Sequence, residues 1–511
     1  MKVPLTVNDF LDRGVAVYPD RVAIVDEPDQ PAPSLGDITY AELGDIRRQM
    51  GVAMDELGLP MGARVAMVSH NSARLLTAFF GVSGNGRVFV PINFRLGKAE
   101  VEYIIEHSGA DALLIDPELE ADLADVQCEH KWIMGPESDA FWYGRSGTPT
   151  PWVPDEDATA SINYTSGTTA RPKGVEQTHR ARWTNAAIFG WMAGVSDRDV
   201  YLHTLPMFHC DGWGMLYTVT AMGVKHVVLR KVEGEEILRR VRDHGVTLMC
   251  GAPAVVAMVL DAAAKWEGEI PGRGTVRIVV AGAPPPTKTI ERVETELGWE
   301  FIQIYGLTET APLITMNRSR SEWDELDAAG RAQKLGRAGA PVVGIEMSVD
   351  GEGEVLARGN HILKSYWAQP EATDEALAGG WFHTGDGGVI DDEGYLSITD
   401  RKKDVIISGG ENVSSIEVED AIFSHPDVIE VAVIGVPHDK WGETVKALVV
   451  TVPGSSLTEA EVIGHCRERL THYKCPTSVE FREELARTST GKLQKFKLRE
   501  PFWAGREKMV N

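Results

Sequence analysis

The stretch VRIVVAGAPPPTKTIERVETELGWEFIQIYGLTET, residues 276–310, decides the fold. Its first piece, VRIVVAG (276–282), is a short β-branched run of the kind that forms a buried strand. TKTIERVETELG (287–298) then carries apolar residues at helical spacing and closes on a glycine, as helices often do. EFIQIYG (300–306) is strand-like again. Upstream, VKHVVLR (224–230) and EEILRRVRDHG (235–245) repeat the strand and the glycine-closed helix. Strands alternating with helices predict an α/β architecture: a large N-terminal domain with mostly parallel sheets flanked by helices.

The pattern changes near residue 400. GYLSITDRKKDVIISGGENVS places a charged run, Asp400 to Asp404, between two strand-like pieces, and SSIEVEDAIFSHPDVIEVAVIGVP then reads helix, strand. The expected organisation is an N-terminal domain over 1–400, a hinge at 401–403 and a small, mobile α+β C-terminal domain over 404–511. A chain of 511 residues is also too long for one ordinary core.

Bulk properties narrow the function. With 43% hydrophobic and 25% charged residues, the composition is that of a folded soluble protein. A net charge of −24 argues against a general nucleic-acid or anionic-membrane binder, although a local cluster of donors can still hold a phosphate. The five cysteines form no C-x-x-C pair or zinc pattern and suggest a reducing compartment. MKVPLTVNDFLDRG is charged and polar too early for a signal peptide. The apolar stretch at Phe79 and Phe80 is interrupted by Asn85 and Arg87, so no membrane span is expected, and KMVN matches no lipidation signal. The expected location is cytoplasmic.

The strongest chemical signal is YTSGTTARPKGV (164–175), directly after the strand-like ASIN. Gly167 and Gly174 permit tight backbone geometry. Thr165, Ser166, Thr168 and Thr169 offer hydroxyls and Lys173 a cation, a donor set suited to a polyphosphate. It is not a Walker A loop, because Gly174 follows Lys173 where Ser or Thr would stand.

This string resembles the phosphate-binding loop of the adenylate-forming superfamily of acyl-CoA synthetases, adenylation domains and luciferases. IYGLTET (304–310), WFHTGD (381–386), ITDRKKDVIISGGENVSS (398–415) and ARTSTGKLQKFKLR (486–499) resemble later motifs of the same family, in order, over nearly the whole chain. The resemblance implies ATP and Mg²⁺ as cofactors and coenzyme A as cosubstrate. It implies that Tyr305 packs on adenine beside Gly306, Ala283 and Pro284, that Thr308 contacts the α-phosphate, and that Glu309, with Thr168, holds Mg²⁺. Asp386 and Arg401 would bind the ribose, and Lys492 would be the catalytic lysine bridging carboxylate and α-phosphate. Lys403 matches the hinge about which the small domain turns between two half-reactions. Lys495 and Lys497 are expected to be solvated. Ala170, where a glycine is commoner, and Ala486, where a proline is, depart from the family pattern.

For the acyl pocket the candidates are His209, Cys210 and Trp213 in PMFHCDGWG (206–214), with Met249, CGAP (250–253) and Asn412. Bulky His209, Trp213 and Met249 favour an aryl or medium-length acid over acetate. Gly409 and Gly410 are small enough to leave room for a pantetheine arm. The expected reaction is ATP-dependent ligation of a carboxylic acid to CoA through an acyl-adenylate, by a monomer or homodimer. Two alternatives stay open: an acceptor other than CoA (a carrier protein, an amine or nitrite), and a nucleotide-binding scaffold without catalysis.

Overall fold

The computed structural model describes residues 1–165, 172–401, 404–408, 411–438, 441–487 and 493–504. The strand Arg277–Val280 runs parallel to Glu300–Gly306, with Val280 opposite Gln303. The connection is the helix Thr287–Arg292, which continues through a wider turn, Val293–Leu297, and ends on Gly298 at φ 65°. Ile290, Val293 and Leu297 are its buried apolar positions, the helical spacing read from the sequence.

Around this unit a nine-stranded sheet is ordered Ala340–Pro341, Leu313–Arg318, Glu300–Gly306, Arg277–Val280, Leu248–Gly251, Val200–His203, Lys225–Val228, Val22–Val25 and Asp37–Thr39. Its central pairings are parallel and its outer ones antiparallel. A seven-stranded sheet runs Ser365–Tyr366, Lys173–Thr178, Thr159–Thr165, Val88–Ile92, Arg64–Val68, Ala112–Ile115 and His130–Ile133. The helix Ala73–Gly81 is buried along its whole length, and Phe79 and Phe80 meet Phe89 and Tyr217 edge-on. Its two polar residues are satisfied in place: Arg74 pairs with Asp139 and Thr77 donates to the Arg74 carbonyl at 2.9 Å. Asn85 and Arg87 are buried too: Arg87 pairs with Asp55 at 2.6 Å, and Asn85 donates to the carbonyls of Arg47 and Gly81. No helix among the described residues is long and apolar enough to cross a membrane.

Two smaller sheets follow. One is wholly antiparallel, ordered Ile345–Val349, Glu354–Gly359, Phe382–Ile390 and Leu396–Arg401. The other, toward the C-terminus, combines Glu411–Val413, Ile406–Ser408, Gly442–Thr451, Val428–His438 and Ser478–Phe481. The helices Ser415–Phe423 and Glu459–Arg467 cover it, so this part is α+β.

Candidate functional site

Thr159–Thr165 and Lys173–Thr178 pair antiparallel, so Thr165 and Lys173 stand opposite each other where the chain leaves for the 166–171 loop. Ser166, Gly167, Thr168, Thr169 and Ala170 lie outside the described residues. At the loop's base a side chain on Gly174 would meet Ile162 at 2.9 Å and Tyr164 at 3.1 Å, so glycine permits the close strand packing. The Lys173 ammonium sits over the Tyr366 ring, 4.6 Å from its centroid. The Tyr366 hydroxyl donates to Glu309 Oε1 at 2.8 Å. Burial, and then the Glu309 carboxylate, push the Tyr366 phenol well above its usual range, so it keeps its proton and donates.

The turn Thr308–Thr310 is tied to the strand Lys173–Thr178 and to the segment just before Ser365–Tyr366. Gln177 Nε2 donates to the Thr308 carbonyl at 2.9 Å, and the Leu363 amide donates to the Glu309 carbonyl at 2.6 Å. Gly306 is obligatory, because a Cβ there would lie 1.5 Å from the Pro312 carbonyl oxygen. Beside it, Tyr305 donates to Asp386 Oδ2 at 2.8 Å. Asp386 stands in register with Arg401 across the antiparallel ladder. Ala283 and Pro284 occupy the exposed turn after Arg277–Val280, next to the strand of Tyr305. The structure therefore gathers Thr165, Lys173, Tyr305, Thr308, Glu309 and Asp386 where strands of three sheets come together, with Thr165 and Tyr305 at the carboxyl ends of theirs, the place where α/β proteins take ligands. Among the described residues no group of three or more His, Cys, Asp or Glu side chains could hold a metal ion, and Glu309 would offer Mg²⁺ one carboxylate, with waters and phosphate oxygens completing its shell.

At the expected acyl pocket, His209 is half-buried; Phe208 meets it and Phe94 edge-on, and His70 stacks on Phe94. Cys210 and Trp213 are buried, and Cys210 Sγ lies 3.0 Å from Thr308 Oγ1. Met249, by contrast, packs in the core with Leu202 and Val256, because its strand is covered by helices on that face. The residues that hold the 206–214 segment went unseen in the sequence: Ser161, Asn163, Arg182, Asn185 and Asp211. Each is far from its partner along the chain, so no local pattern signals it.

Lys403, Gly409, Gly410 and Lys492 lie outside the described residues, as do the side chains of Arg401 and Asn412. Asn412 is placed by its backbone opposite Ile407. One expectation is corrected: Lys495 is not solvated. Its ammonium pairs with Glu419 at 2.8 Å and donates to Ser415. Desolvation works to lower the Lys495 pKa, but Glu419 and Asp400 outweigh it and raise it. Lys497 is exposed, as expected.

Comparison with known proteins fits this geometry. Residues 11–367 match the family model of the AMP-binding enzymes, and residues 417–492 match that of the AMP-binding enzyme C-terminal domain. The 2-methylpropanoate–CoA ligase of Humulus lupulus is 37% identical, covering 97% of this chain and 95% of its own. The peroxisomal benzoate–CoA ligase of Arabidopsis thaliana is 34% identical over 98% of this chain and 93% of its own. The o-succinylbenzoate CoA synthetase of Bacillus subtilis, solved with its acyl-adenylate intermediate, superposes with a TM-score of 0.81 at 28% identity, over 96% of this chain and 97% of that one. The chain belongs to the AMP-binding enzyme family, as an AMP-forming acyl-CoA synthetase.

Proposed function

We propose that the protein converts a medium-chain or aryl carboxylic acid, such as a benzoate- or cinnamate-like acid, into its CoA thioester by way of the acyl-adenylate. The observation that carries this reading is the convergence of Lys173, Tyr366 and Glu309 with Tyr305 and Asp386 where strands of three sheets meet. In the first half-reaction a carboxylate oxygen attacks the α-phosphorus of ATP, the bond to the β-phosphate oxygen breaks, and pyrophosphate leaves. Lys173 and the amides and hydroxyls around it neutralise the polyphosphate, Thr308 contacts the α-phosphate, and Lys492 steadies charge on the attacking carboxylate. Glu309, with Thr168, would hold Mg²⁺, which offsets charge on the phosphates when bound. Asp386 accepts from the ribose hydroxyls, Arg401 supports the same sugar, and Tyr305 covers the adenine.

In the second half-reaction the CoA sulfur attacks the acyl carbon and AMP leaves with the bonding electrons. The small domain turns at Lys403, withdrawing Lys492 and bringing Gly409 and Gly410 to the pantetheine arm. The relatives that act on 2-methylpropanoate and benzoate support a compact acid. A cytoplasmic place of work belongs to the same proposal.

Mass spectrometry of products from ATP, Mg²⁺ and a panel of acids from acetate to cinnamate, with and without CoA, tests it. Acyl-CoA and AMP from one class of acid are expected. Acyl-AMP with no thioester would replace CoA by another acceptor, such as a carrier protein, an amine or nitrite.

A further inference from the structure

Cys210, Asp211, Gly212, Trp213 and Gly214 are consecutive residues with positive φ, at 47°, 46°, 57°, 58° and 78°. L-residues take this left-handed conformation at a steric cost, and a run containing cysteine, aspartate and tryptophan persists only where the surroundings impose it. Here they do. The Asp211 carboxylate is fully buried and takes Arg182 at 2.7 Å, Asn163 at 2.9 Å and the Ser161 hydroxyl. Arg182 is fully buried as well and reaches the Cys210 carbonyl at 3.4 Å. The Asn163 amide also donates to the Phe208 carbonyl at 2.7 Å, and its oxygen accepts from the Cys210 amide at 3.2 Å. Asn185 donates to the Trp213 carbonyl at 3.1 Å.

A buried ion pair is no better for stability than a well-packed apolar pair, so its role here is the conformation that it specifies. The anchors Ser161 and Asn163 alternate with Thr165 on one face of Thr159–Thr165, the strand that leads into the 166–171 loop. The anchored turn in its left-handed form is what brings Cys210 against Thr308.

We propose that Asp211, through Arg182, is a positioning residue for acid recognition: it holds residues 210–214 in the left-handed form in which Cys210 and Trp213 shape the acyl site beside Thr308. Asp211 itself touches no substrate. The inference rests on the ligase reading above.

The test is the double variant Arg182→Gln with Asp211→Asn, which removes both charges together and leaves no buried ion unpaired. Acid-dependent ATP–pyrophosphate exchange is measured with 2-methylpropanoate, butyrate, benzoate and trans-cinnamate. The expected result is a rise of about tenfold in KM for the acid the parent protein prefers, with a changed ranking of the four acids. The KM for ATP should stay within about twofold. An unchanged acid KM and ranking, or a parallel rise for acid and ATP, overturns the proposal, since a merely structural pair would do one or the other. Should the double variant fail to fold, Ser161→Ala decides, because it keeps the ion pair and removes one donor to Asp211. A rise of about threefold in acid KM supports the proposal and no rise overturns it. Failure of the parent protein to adenylate any acid sinks the ligase reading, and this inference with it, before a variant is needed.

Discussion

Tyr366 stands between two charges of opposite sign, its ring under the Lys173 ammonium and its hydroxyl on the Glu309 carboxylate. Replacing it by phenylalanine keeps the first contact and removes the second. The expected cost is about 1.5 kcal/mol, or about tenfold in kcat/KM for ATP, and Tyr366→Leu should lose more because the cation then loses its ring. Steady-state pyrophosphate release measures both, and equal activity of Tyr366→Phe and the parent would remove the tyrosine from the site. Lys173, Tyr305, Glu309 and Asp386, which the structure brings together, could be singled out in the sequence because each sits in a short local string. Tyr366 was not, since its partner is 57 residues away and KSYW carries no motif. Lys495 was misread for the same reason: TGKLQK looks like a solvated basic run, and the Ser415 that it meets is 80 residues off.

Among the elements, those with strong apolar periodicity were legible, down to the glycine that closes Gly234–His244. Of the antiparallel sheet only Leu396–Arg401 showed as strand-like; Ile345–Val349 and Glu354–Gly359 did not, because they are only half-buried and their alternation is faint. Nor was the left-handed turn, whose cause is tertiary. A buried histidine relay is equally hidden. The Thr220 hydroxyl donates to the Leu216 carbonyl at 2.7 Å, so it accepts from His226 Nε2. His226 Nδ1 therefore accepts from His203 Nε2 at 2.9 Å, and both rings are neutral. Burial lowers His226 to about 3 and His203 well below its usual value, and it lowers His179 and His361 to about 4. A histidine with a depressed folded pKa costs stability once the unfolded chain binds the proton first, below its unfolded value of 6.5. Stability should thus hold above about pH 6.5 and fall between about pH 6.5 and 4, by on the order of 1 kcal/mol per histidine per pH unit. Thermal unfolding at pH 7.5, 6 and 5 reads this, and a Tm unchanged down to pH 5 would contradict it.

For the whole molecule, the proposed turn of the small domain must break whatever holds that domain in the present arrangement. Thr287, at the start of an N-terminal-domain helix, donates its amide to Asp420 Oδ1 at 2.8 Å and its hydroxyl to Oδ2 at 3.0 Å. Asp420 lies on the helix Ser415–Phe423 that covers the C-terminal sheet. This carboxylate caps a helix of the other domain and favours the present arrangement by about 1 kcal/mol. Asp420→Ala should change the ratio of thiolation to adenylation rates by about fivefold, with ATP affinity unchanged. Rapid-quench measurement of the two half-reactions gives the ratio, and an unaltered ratio would show the contact to be idle. Lys492→Ala should stop adenylation while a preformed acyl-adenylate still reacts with CoA. Loss of both steps together would argue against alternation of the small domain.

The strand Thr159–Thr165 has a consequence for how this enzyme changes over generations. Its residues Ser161 and Asn163 anchor the turn at 210–214, the proposed acid site, and the strand ends on Thr165 just before the proposed nucleotide loop. A mutation that reshapes the turn through Ser161 or Asn163 also disturbs the footing of that loop. Laboratory selection for a new acid should therefore accumulate its accepted changes in side chains such as Cys210 and Trp213, and leave the strand beneath them unaltered. Specificity can drift here only on top of a foundation that it shares with the nucleotide.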